Sequence, residues 1–490
     1  MSDWVEKALD EVILKRNQGV NTTTEKVKYS EAGIKVIRAN NISQGRIDYT
    51  DCVFVDDETY ARIKEPCKPK KGDILYTNIG SQFGNAAKVE VDFEFTIAWN
   101  VLRIQPSDSV DSDFLVYLLN NPMNKKYIQS LNSSSTMPFV SGKDIGKTTF
   151  KFPEINEQQD IGLKLKSLDL KIELNRQTIQ TLEHIAQAIF KSWFVDFEPT
   201  RAKVIAKQIA QARQDSERSA ALNAALFADG RWSEAVAAAI AEGDPERAAM
   251  AAISGKSLEE LDQLSPEQQT QLTTTTALFP DALVDSELGE IPEGWEVNAL
   301  DEIAHYQNGL ALQKFRPEDK NDFLPVLKIA QLKKGFADGE EKASPNIKPE
   351  CIVDNGDVVF SWSGSLVVDV WCGGKAALNQ HLFKVTSPDY PKWLYCYWTK
   401  HHLETFQQVA ADKAVTMGHI KRSHLAEAKC IVPSCDLDQF SLMANFLEKQ
   451  IEQRLESISL QEIRDSLLPK LLSGNLALDA PQSKIEEAMA

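Results

Sequence analysis

The stretch GDILYTNIGS at residues 72–81 returns as GDVVFSWSGS at residues 356–365, and this duplication decides how the rest of the chain is interpreted. Four further pairs of segments repeat in the same order: WVEKALDEV (4–12) with WEVNALDEI (295–303), GIKVIRANNISQG (33–45) with FLPVLKIAQLKKG (323–335), NVLRI (100–104) with HLFKV (381–385), and TMPFVSGKDI (136–145) with TMGHIKRSHL (416–425). The offset drifts from 291 (295 against 4) to 280 (416 against 136). Preserved order with a slowly drifting offset indicates one ancestral unit used twice.

Each copy combines short strands with a helix. Segments such as IKVIRA, GDILYT, PVLKI and HLFKV are rich in β-branched and aromatic residues and are separated by Gly, Asn and Pro turns. A short helical segment follows them, DFLVYLLNN in the first copy and KWLYCYWTKH in the second. The sequence therefore predicts two α+β domains, at residues 1–160 and 291–435.

A heptad pattern of apolar residues follows each copy. It runs from Ile161 to Trp193. The equivalent positions at an offset of 279 run from Phe440 to Leu472, where the first half keeps the pattern and the second half shifts to a stripe marked by Leu455, Ile463, Leu467 and Leu471. We expect two long helices, at 161–199 and 436–475, each about 35 residues and about 50 Å long. If they pair antiparallel, the two copies are related by a pseudo-two-fold axis and the helices act as a molecular ruler. Asn175 and Arg454 occupy the same seam position and are candidates for fixing the helix register, with a locally solvated gap as the alternative.

The remaining segments differ in composition from the repeats. Residues 200–290 are Ala-rich and carry about −7 of the formal net charge of −17, whereas 1–160 sum to about −3 and 291–435 to about −2. We interpret 200–290 as a helical linker or insertion and 476–490 as a C-terminal tail. The total charge argues against a protein whose whole surface is basic and binds nucleic acid, but it does not exclude a local binding site in either repeat.

Composition favours a cytoplasmic protein. No apolar run reaches the length of a membrane span, and the N-terminus lacks the pattern of a signal peptide. The seven cysteines form no CxxC pair and, being odd in number, no complete disulfide framework. Cys396, His401 and His402 are possible ligands of a metal ion, but ordinary packing is the favoured interpretation.

Two motifs suggest catalysis only weakly. GKDIGKT (142–148) resembles a phosphate-binding P-loop, but only three residues separate Gly142 from Gly146, where a P-loop has four, and the second copy has RSHLAEA there. A structural turn shared by both copies is the simpler interpretation. NNPM (120–123) lacks the second proline and the aromatic residue of an adenine methyltransferase motif. Chance therefore explains it better than catalysis.

Several tracts together resemble the specificity subunit of type I restriction-modification enzymes. They are LNRQTIQTLEHIAQAIFKSWFVDFEPTRAK (174–203), LLPKLLSGNLAL (467–478), the duplicated GD strands, and the connector from AAISGK to SELGEIPEGW (251–295). The resemblance implies a non-catalytic subunit of a bacterial defence complex, whose two target-recognition domains each read half of a bipartite duplex DNA sequence. It further implies that the helices set the spacer and bind two modification subunits carrying S-adenosylmethionine, and that motor and nuclease subunits use ATP and Mg²⁺. No cofactor is expected in this chain.

Polar residues cluster at equivalent turns of the two copies. Base reading needs paired donors and acceptors, which Arg, Lys, Asn and Gln provide. The predicted readers are Arg38, Asn40, Asn41, Thr77, Asn78, Ser81 and Gln82 in the first copy, and Lys328, Gln331, Ser361, Trp362, Ser363 and Ser365 in the second. Lys143, Lys421 and Arg422 are candidates for phosphate contacts. Ordinary turn chemistry and solvated surface charge are the alternatives.

Two other functions stay open at this point. A protein-binding scaffold of a related complex would use the same repeats and helices to bind other proteins. A nucleotide-dependent enzyme would need the incomplete P-loop to work. Salt-dependent, sequence-selective binding of duplex DNA separates these classes from a DNA-specificity subunit.

Overall fold

The computed structural model describes residues 4–474 except 24, 26, 44, 81–82, 133–137, 229, 320 and 413–417. The predicted readers Ser81 and Gln82 and the predicted tail 476–490 lie outside the described residues. The chain divides into a first unit, Met1–Leu174 with Ser457–Ala490, and a second unit, Asn175–Glu456. Across the described part of the chain, no helix is both long and apolar enough to cross a membrane.

The first unit is built on an antiparallel sheet of four strands, in the order Ile13–Gln18, Val101–Pro106, Ile74–Thr77 and Ala86–Lys88. In a second sheet, Ile34–Ile37 pairs antiparallel with Val53–Val55 and parallel with Phe95–Ile97. Two short pairs are Val5–Ala8 with Thr149–Phe152, and Ile42–Ser43 with Arg46–Ile47. The helices of this copy are Leu9–Val12, Asp57–Arg62, Ser112–Asn120, Pro122–Ser130 and Gly142–Lys147.

The second copy, in the second unit, repeats the strand order of the four-stranded antiparallel sheet, and its other sheet has one strand more than that of the first copy. Its antiparallel sheet runs His305–Asn308, Leu382–Thr386, Val358–Ser361 and Val368–Val370. Its other sheet runs Lys342–Ala343, Leu324–Leu327, Ala376–Leu378 and Ile352–Val353, and Trp295–Ala299 pairs with Lys429–Pro433. The helices are Leu300–Ile303, Ile329–Lys334, Lys392–His401, Leu403–Asp412 and Arg422–Glu427. The predicted duplication of an α+β fold is confirmed.

The repeated Gly-Asp pair has a structural cause. Gly72 and Gly356 have φ values of +91° and +88°, in the region that favours glycine. The next residue, Asp73, accepts hydrogen bonds from Arg103 Nε at 2.7 Å and from the Lys70 amide at 2.6 Å. Asp357 likewise accepts from Lys384 Nζ and the Asp354 amide, both at 2.7 Å. Each turn is thus tied by an ion pair to the neighbouring central strand.

Two long helices pair antiparallel in both units. The first spans Ile155–Phe190, 36 residues, and continues as the π-helical turn Lys191–Val195; the second spans Ser441–Leu472. In the first unit, Asp169 accepts from Arg464 Nη1 at 2.7 Å, while Leu165 clusters with Leu471. In the second unit, the side-chain amide of Asn175 donates to the Glu456 carboxylate at 2.8 Å. The centroids of the Trp193 and Phe440 rings lie 6.3 Å apart. Residue numbers rise along one helix as they fall along the other, so the predicted antiparallel coiled-coil pairing is confirmed.

The segment between the copies is helical and has a core of its own. Its helices are Glu198–Ala212, Ser216–Ala228, Glu234–Ala241, Pro245–Ser254, Leu258–Asp262 and Pro266–Thr276, followed by the hairpin Leu283–Ser286 and Gly289–Pro292. Small residues such as Ala202, Ala206 and Ala248 are fully buried where these helices pack. The high alanine content therefore serves close helix packing.

Candidate nucleic-acid interface

A three-residue loop, residues 98–100, lies where two predicted site segments of the first copy meet. It joins the strand Phe95–Ile97 to Val101–Pro106, and we call it the first central loop. Segment 38–41 is attached to it because the Ala39 amide donates to Asn100 Oδ1 at 3.3 Å. Segment 77–78 is attached because the Asn78 amide donates to the Asn100 carbonyl at 3.4 Å. Residues far apart in sequence are thus held at one loop.

A third predicted segment joins the same place. The Val140 amide donates to the Asn78 carbonyl, and the Asn78 side chain donates to the Val140 carbonyl, both at 3.1 Å. Ser141 then caps the helix Gly142–Lys147, which leaves Lys143 exposed. We call residues 38–41, 77–78, 98–100 and 140–143 the first loop cluster. The P-loop-like stretch therefore forms this short helix, which begins within the cluster.

The second copy builds the same arrangement around residues 379–381, the second central loop. The Asn379 amide donates to the Leu327 carbonyl at 3.1 Å, as the Ala98 amide does to the Ile37 carbonyl at 2.9 Å. The Trp362 amide donates to the His381 carbonyl at 3.3 Å, and the Ile420 amide to the Trp362 carbonyl at 3.0 Å. Residues 328–331, 361–365, 379–381 and 419–422 form the second loop cluster. Its last segment opens the helix Arg422–Glu427, the counterpart of Gly142–Lys147.

Each central loop is packed against a glycine through backbone atoms alone. A Cβ atom on Gly19 would lie 2.2 Å from the Ala98 carbonyl oxygen, and one on Gly309 would lie 2.3 Å from the Asn379 oxygen. Both distances are far shorter than van der Waals contact, so only glycine permits this approach. The two copies therefore hold their central loops with the same close backbone contact.

Replacing Gly19 with Ala is expected to lower the free energy of unfolding of the first copy by about 1–3 kcal/mol, because the added methyl group must push the central loop away. Amide hydrogen exchange of the strand Phe95–Ile97 measures this loss locally. Gly142→Ala is the matched control, since its Cβ would meet nothing closer than 3.4 Å. Equal protection in the two variants would contradict the expected strain.

Five of the predicted readers are buried: Asn41, Thr77, Asn78, Ser361 and Ser363. Their polar atoms are bonded inside the protein. The Asn41 side chain donates to the Asp51 carbonyl at 2.6 Å, and the Ser361 hydroxyl donates to the Ser365 carbonyl at 2.7 Å. In this conformation such side chains hold the loops in place rather than face solvent. Their direct contact with bases stays a prediction.

The other predicted site residues reach the surface. Asn40, Lys143, Ser365, Lys421 and Arg422 are exposed, and Arg38, Lys328, Gln331 and Trp362 are half-buried. Lys328 is paired with Glu341, and Gln331 donates to Asp338 at 3.3 Å. Arg422 donates to the Tyr306 carbonyl at 3.0 Å and lies over the Phe383 ring. Arg422 is thus held in place, which suits a positioned phosphate contact better than a freely moving side chain.

The sequence prediction did not include the central loops themselves. Trp99 and Asn100 in the first copy, and Gln380 and His381 in the second, all reach the surface within the loop clusters. The available signal was the alignment of NVLRI with HLFKV, which places Asn100 opposite His381. Each loop immediately precedes a strand.

The two candidate register residues make separate contacts. Asn175 is fully buried, and its Nδ2 donates to Glu456 on the other long helix. Arg454 donates to the Asp369 carboxylate at 2.6 Å and to the Val370 carbonyl at 2.8 Å, so it connects its helix to a strand of the second copy. Their role in setting the register stays a prediction.

The three residues that could serve as metal ligands lie on the helix Lys392–His401 and at its C-terminal end, where Cys396 is buried, His402 is half-buried and His401 is exposed. Cys396 is fully buried, and His402 Nε2 lies 2.9 Å from the Lys429 carbonyl. Burial, together with the neighbouring His401, lowers the pKa of His402 to about 4. Among the described residues, no group of three or more His, Cys, Asp and Glu side chains is arranged to hold a metal ion.

Comparison with known proteins identifies the family. The model of the type I restriction modification DNA specificity domain matches residues 1–184 and 292–462, one match for each copy and its helix. The chain belongs to this family. It is a DNA specificity subunit of the type I class, and the family role is sequence specificity rather than catalysis.

The relatives of this specificity subunit align over most of its length. The type I restriction enzyme HindI specificity subunit of Haemophilus influenzae is 28% identical over 428 residues, covering 83% of this chain and 87% of that protein. The MjaIX specificity subunit of Methanocaldococcus jannaschii is 23% identical, covering 77% and 72%. The solved S subunit from M. genitalium aligns over 96% of both chains with 14% identity and a TM-score of 0.49. The family resemblance inferred from the sequence is confirmed.

Proposed function

We propose that each loop cluster of this specificity subunit reads one half of a bipartite duplex DNA sequence. The supporting observation is the duplication of the cluster: the same backbone hydrogen bonds hold both central loops, while the side chains that reach the surface differ. Two loop clusters that share one backbone arrangement but carry different surface side chains suit two half-sites of different sequence. A single continuous site would not need the scaffold twice.

The roles within each cluster are divided by exposure and chemistry. Asn40, Arg38, Lys328 and Gln331 are proposed to contact base edges, because Asn, Gln, Arg and Lys can bond to the edges of adenine or guanine. Lys143, Lys421 and Arg422 are proposed to contact phosphates, which position the protein without reading sequence. The buried Thr77, Asn78, Ser361 and Ser363 are proposed to support these side chains. Ser365 is exposed beside them and is proposed to contact the DNA directly.

The partners follow from the family role. We propose that this chain binds two modification subunits through its long helices and that motor and nuclease subunits join through the assembled complex. S-adenosylmethionine, ATP and Mg²⁺ are proposed to bind those partner subunits, with no cofactor in this chain. The boundaries 1–160, 161–199, 200–290, 291–435, 436–475 and 476–490, and a spacer set by the helices, belong to the same proposal.

Adenine methylation in cells provides the direct test. Genomic DNA from cells expressing this chain with its modification subunits is expected to carry a bipartite methylated motif with a fixed spacer, and the motif should vanish when only this chain is deleted. Single-molecule sequencing of both strains measures this. A motif that persists without the chain would contradict the proposal, because another protein would then supply the sequence specificity.

A further inference from the structure

The two central loops share their backbone contacts but not their side chains. We propose that residues 99–100 and 380–381 make the two repeats specific for different half-sites, and that Trp99 supplies an apolar contact to a base in the first half-site. This inference rests on the proposed function and names readers within it. No residue of either loop was among those predicted from the sequence.

The loop backbones are held before any ligand arrives. The Val101 amide donates to the Ala98 carbonyl and the Leu382 amide to the Asn379 carbonyl, both at 3.0 Å. On the other side of each loop, the carbonyl oxygens of Ala98 and Asn379 pack directly against Gly19 and Gly309. A side chain on such a loop loses little further freedom on binding, so its contact contributes more to affinity than one from a mobile loop.

Trp99 is an unusual residue to leave on this surface. Its backbone carbonyl accepts a hydrogen bond from the Gln18 side chain, which is itself bonded to Asn78 at 3.1 Å. Trp99 as a whole is nevertheless 47% exposed. Polar groups and the exposed Lys143 belong to the same cluster. An apolar side chain among such groups can contact a base, for example a thymine methyl group, while the cation contacts phosphate.

The second central loop offers different chemistry at the same position. Gln380 aligns with Trp99, and His381 with Asn100. The Gln380 carbonyl accepts from Trp362 Nε1 at 3.2 Å, so the backbone is held, and its side-chain Nε2 lies 3.3 Å from His381 Nε2. A glutamine amide has the paired donor and acceptor that match adenine in the major groove. The two loops therefore read their half-sites by apolar contact in one case and by hydrogen bonding in the other.

The test compares Trp99→Ala with Phe93→Ala in the full chain, expressed with its modification subunits. Phe93 is an ideal control because it is also 47% exposed and lies just before the strand Phe95–Ile97, whereas Trp99 lies just after it. Trp99→Ala is expected to relax the methylated motif at one base pair of the first half-site. Affinity for a duplex carrying the motif should fall about tenfold. Phe93→Ala should change neither.

A second substitution tests the other loop. Gln380→Glu replaces a group that matches adenine with one that accepts from cytosine N4. It is expected to shift the preference at one base pair of the second half-site and to leave the first half-site unchanged. Trp99→Phe keeps an aromatic ring and should retain the original motif, which separates loss of contact from loss of folding.

The outcomes separate the inference from the proposed function. If Trp99→Ala leaves motif and affinity as Phe93→Ala does, the loop assignment is overturned while the bipartite function stands. If either substitution relaxes both half-sites equally, the loops are not repeat-specific and the assignment is overturned as well. If the unaltered chain confers no motif, the proposed function itself fails, and that result needs no substitution.

Discussion

Exchanging residues 291–435 for the corresponding repeat of a relative is expected to change one half of the methylated sequence and to leave the other half as it was. The reason is that all segments of the second loop cluster lie inside the exchanged range, and all segments of the first lie outside it. The paired strands Trp295–Ala299 and Lys429–Pro433 also travel together, whereas the boundary at residue 291 falls within the strand Gly289–Pro292 of the preceding hairpin. Sequencing of methylated adenines before and after the exchange measures both halves in one experiment.

The choice of donor repeat matters because two ion pairs join this repeat to the long helices within the second unit. Lys400 donates to Glu183 at 2.6 Å, and Arg454 donates to Asp369 at 2.6 Å. Burial alone would raise the pKa of Glu183, but the charge and hydrogen bond of Lys400 hold it below its ordinary value. Losing Lys400 would leave a largely buried carboxylate without its cation, which is costly. A repeat from a relative that has a basic residue at the position of Lys400 and an acidic residue at the position of Asp369 keeps both ion pairs.

The reciprocal exchange of residues 1–160 is the control. It should change the other half of the motif and leave the half assigned to 291–435 intact. If one exchange altered both halves, or if neither altered any base, the assignment of one half-site to each repeat would be wrong. Loss of all methylation would indicate instead that the exchanged protein does not fold. The choice of a repeat that keeps the two ion pairs is meant to prevent this.

The sequence revealed the repeats because they depend on local patterns. Gly72 and Gly356 recur because each adopts a positive φ, and the following aspartates recur because each binds a cation from the neighbouring strand. The heptad seam likewise revealed the long helices, since it records one side of a continuous helix. These features can be read from a single stretch of chain.

The site was harder to predict because its members come from separate stretches. Asn78 looked like a reader, yet its side chain bonds to Gln18 and Val140 and is buried. A polar turn residue can face solvent or hold two loops together, and its identity does not distinguish these roles. Trp99 carries no signal of exposure in the sequence, since aromatic residues are also common in strands. Its exposure depends on how the chain turns between two sheets.

The ion pairs of the two Gly-Asp turns are expected to differ strongly in their contribution to stability. Arg103 and Asp73 are only 4% and 8% exposed, whereas Lys384 and Asp357 are 19% and 24% exposed. Replacing Arg103 with Met leaves a buried carboxylate without its cation and is expected to cost about 3–5 kcal/mol. The same replacement of Lys384 is expected to cost about 1 kcal/mol, because water reaches its partner.

Native-state hydrogen exchange distinguishes the two losses within one protein. The amides of Ile74–Thr77 report on the first turn and those of Val358–Ser361 on the second, so each variant carries its own internal reference. Arg103→Met should lower protection in the first strand and leave the second unchanged. Lys384→Met should do the reverse, with a smaller effect.

The double variant Arg103→Met with Asp73→Asn tests the physical cause. If the loss arises from the stranded charge, neutralising Asp73 should recover part of the protection, because no unpaired ion is left buried. Arg103 also donates to the Glu65 carbonyl at 3.1 Å, so recovery should be incomplete. If the double variant were no more stable than Arg103→Met, the loss would have to come from the packing and hydrogen bonds of the arginine stem. The shared Gly-Asp turn would then owe its stability to shape rather than charge.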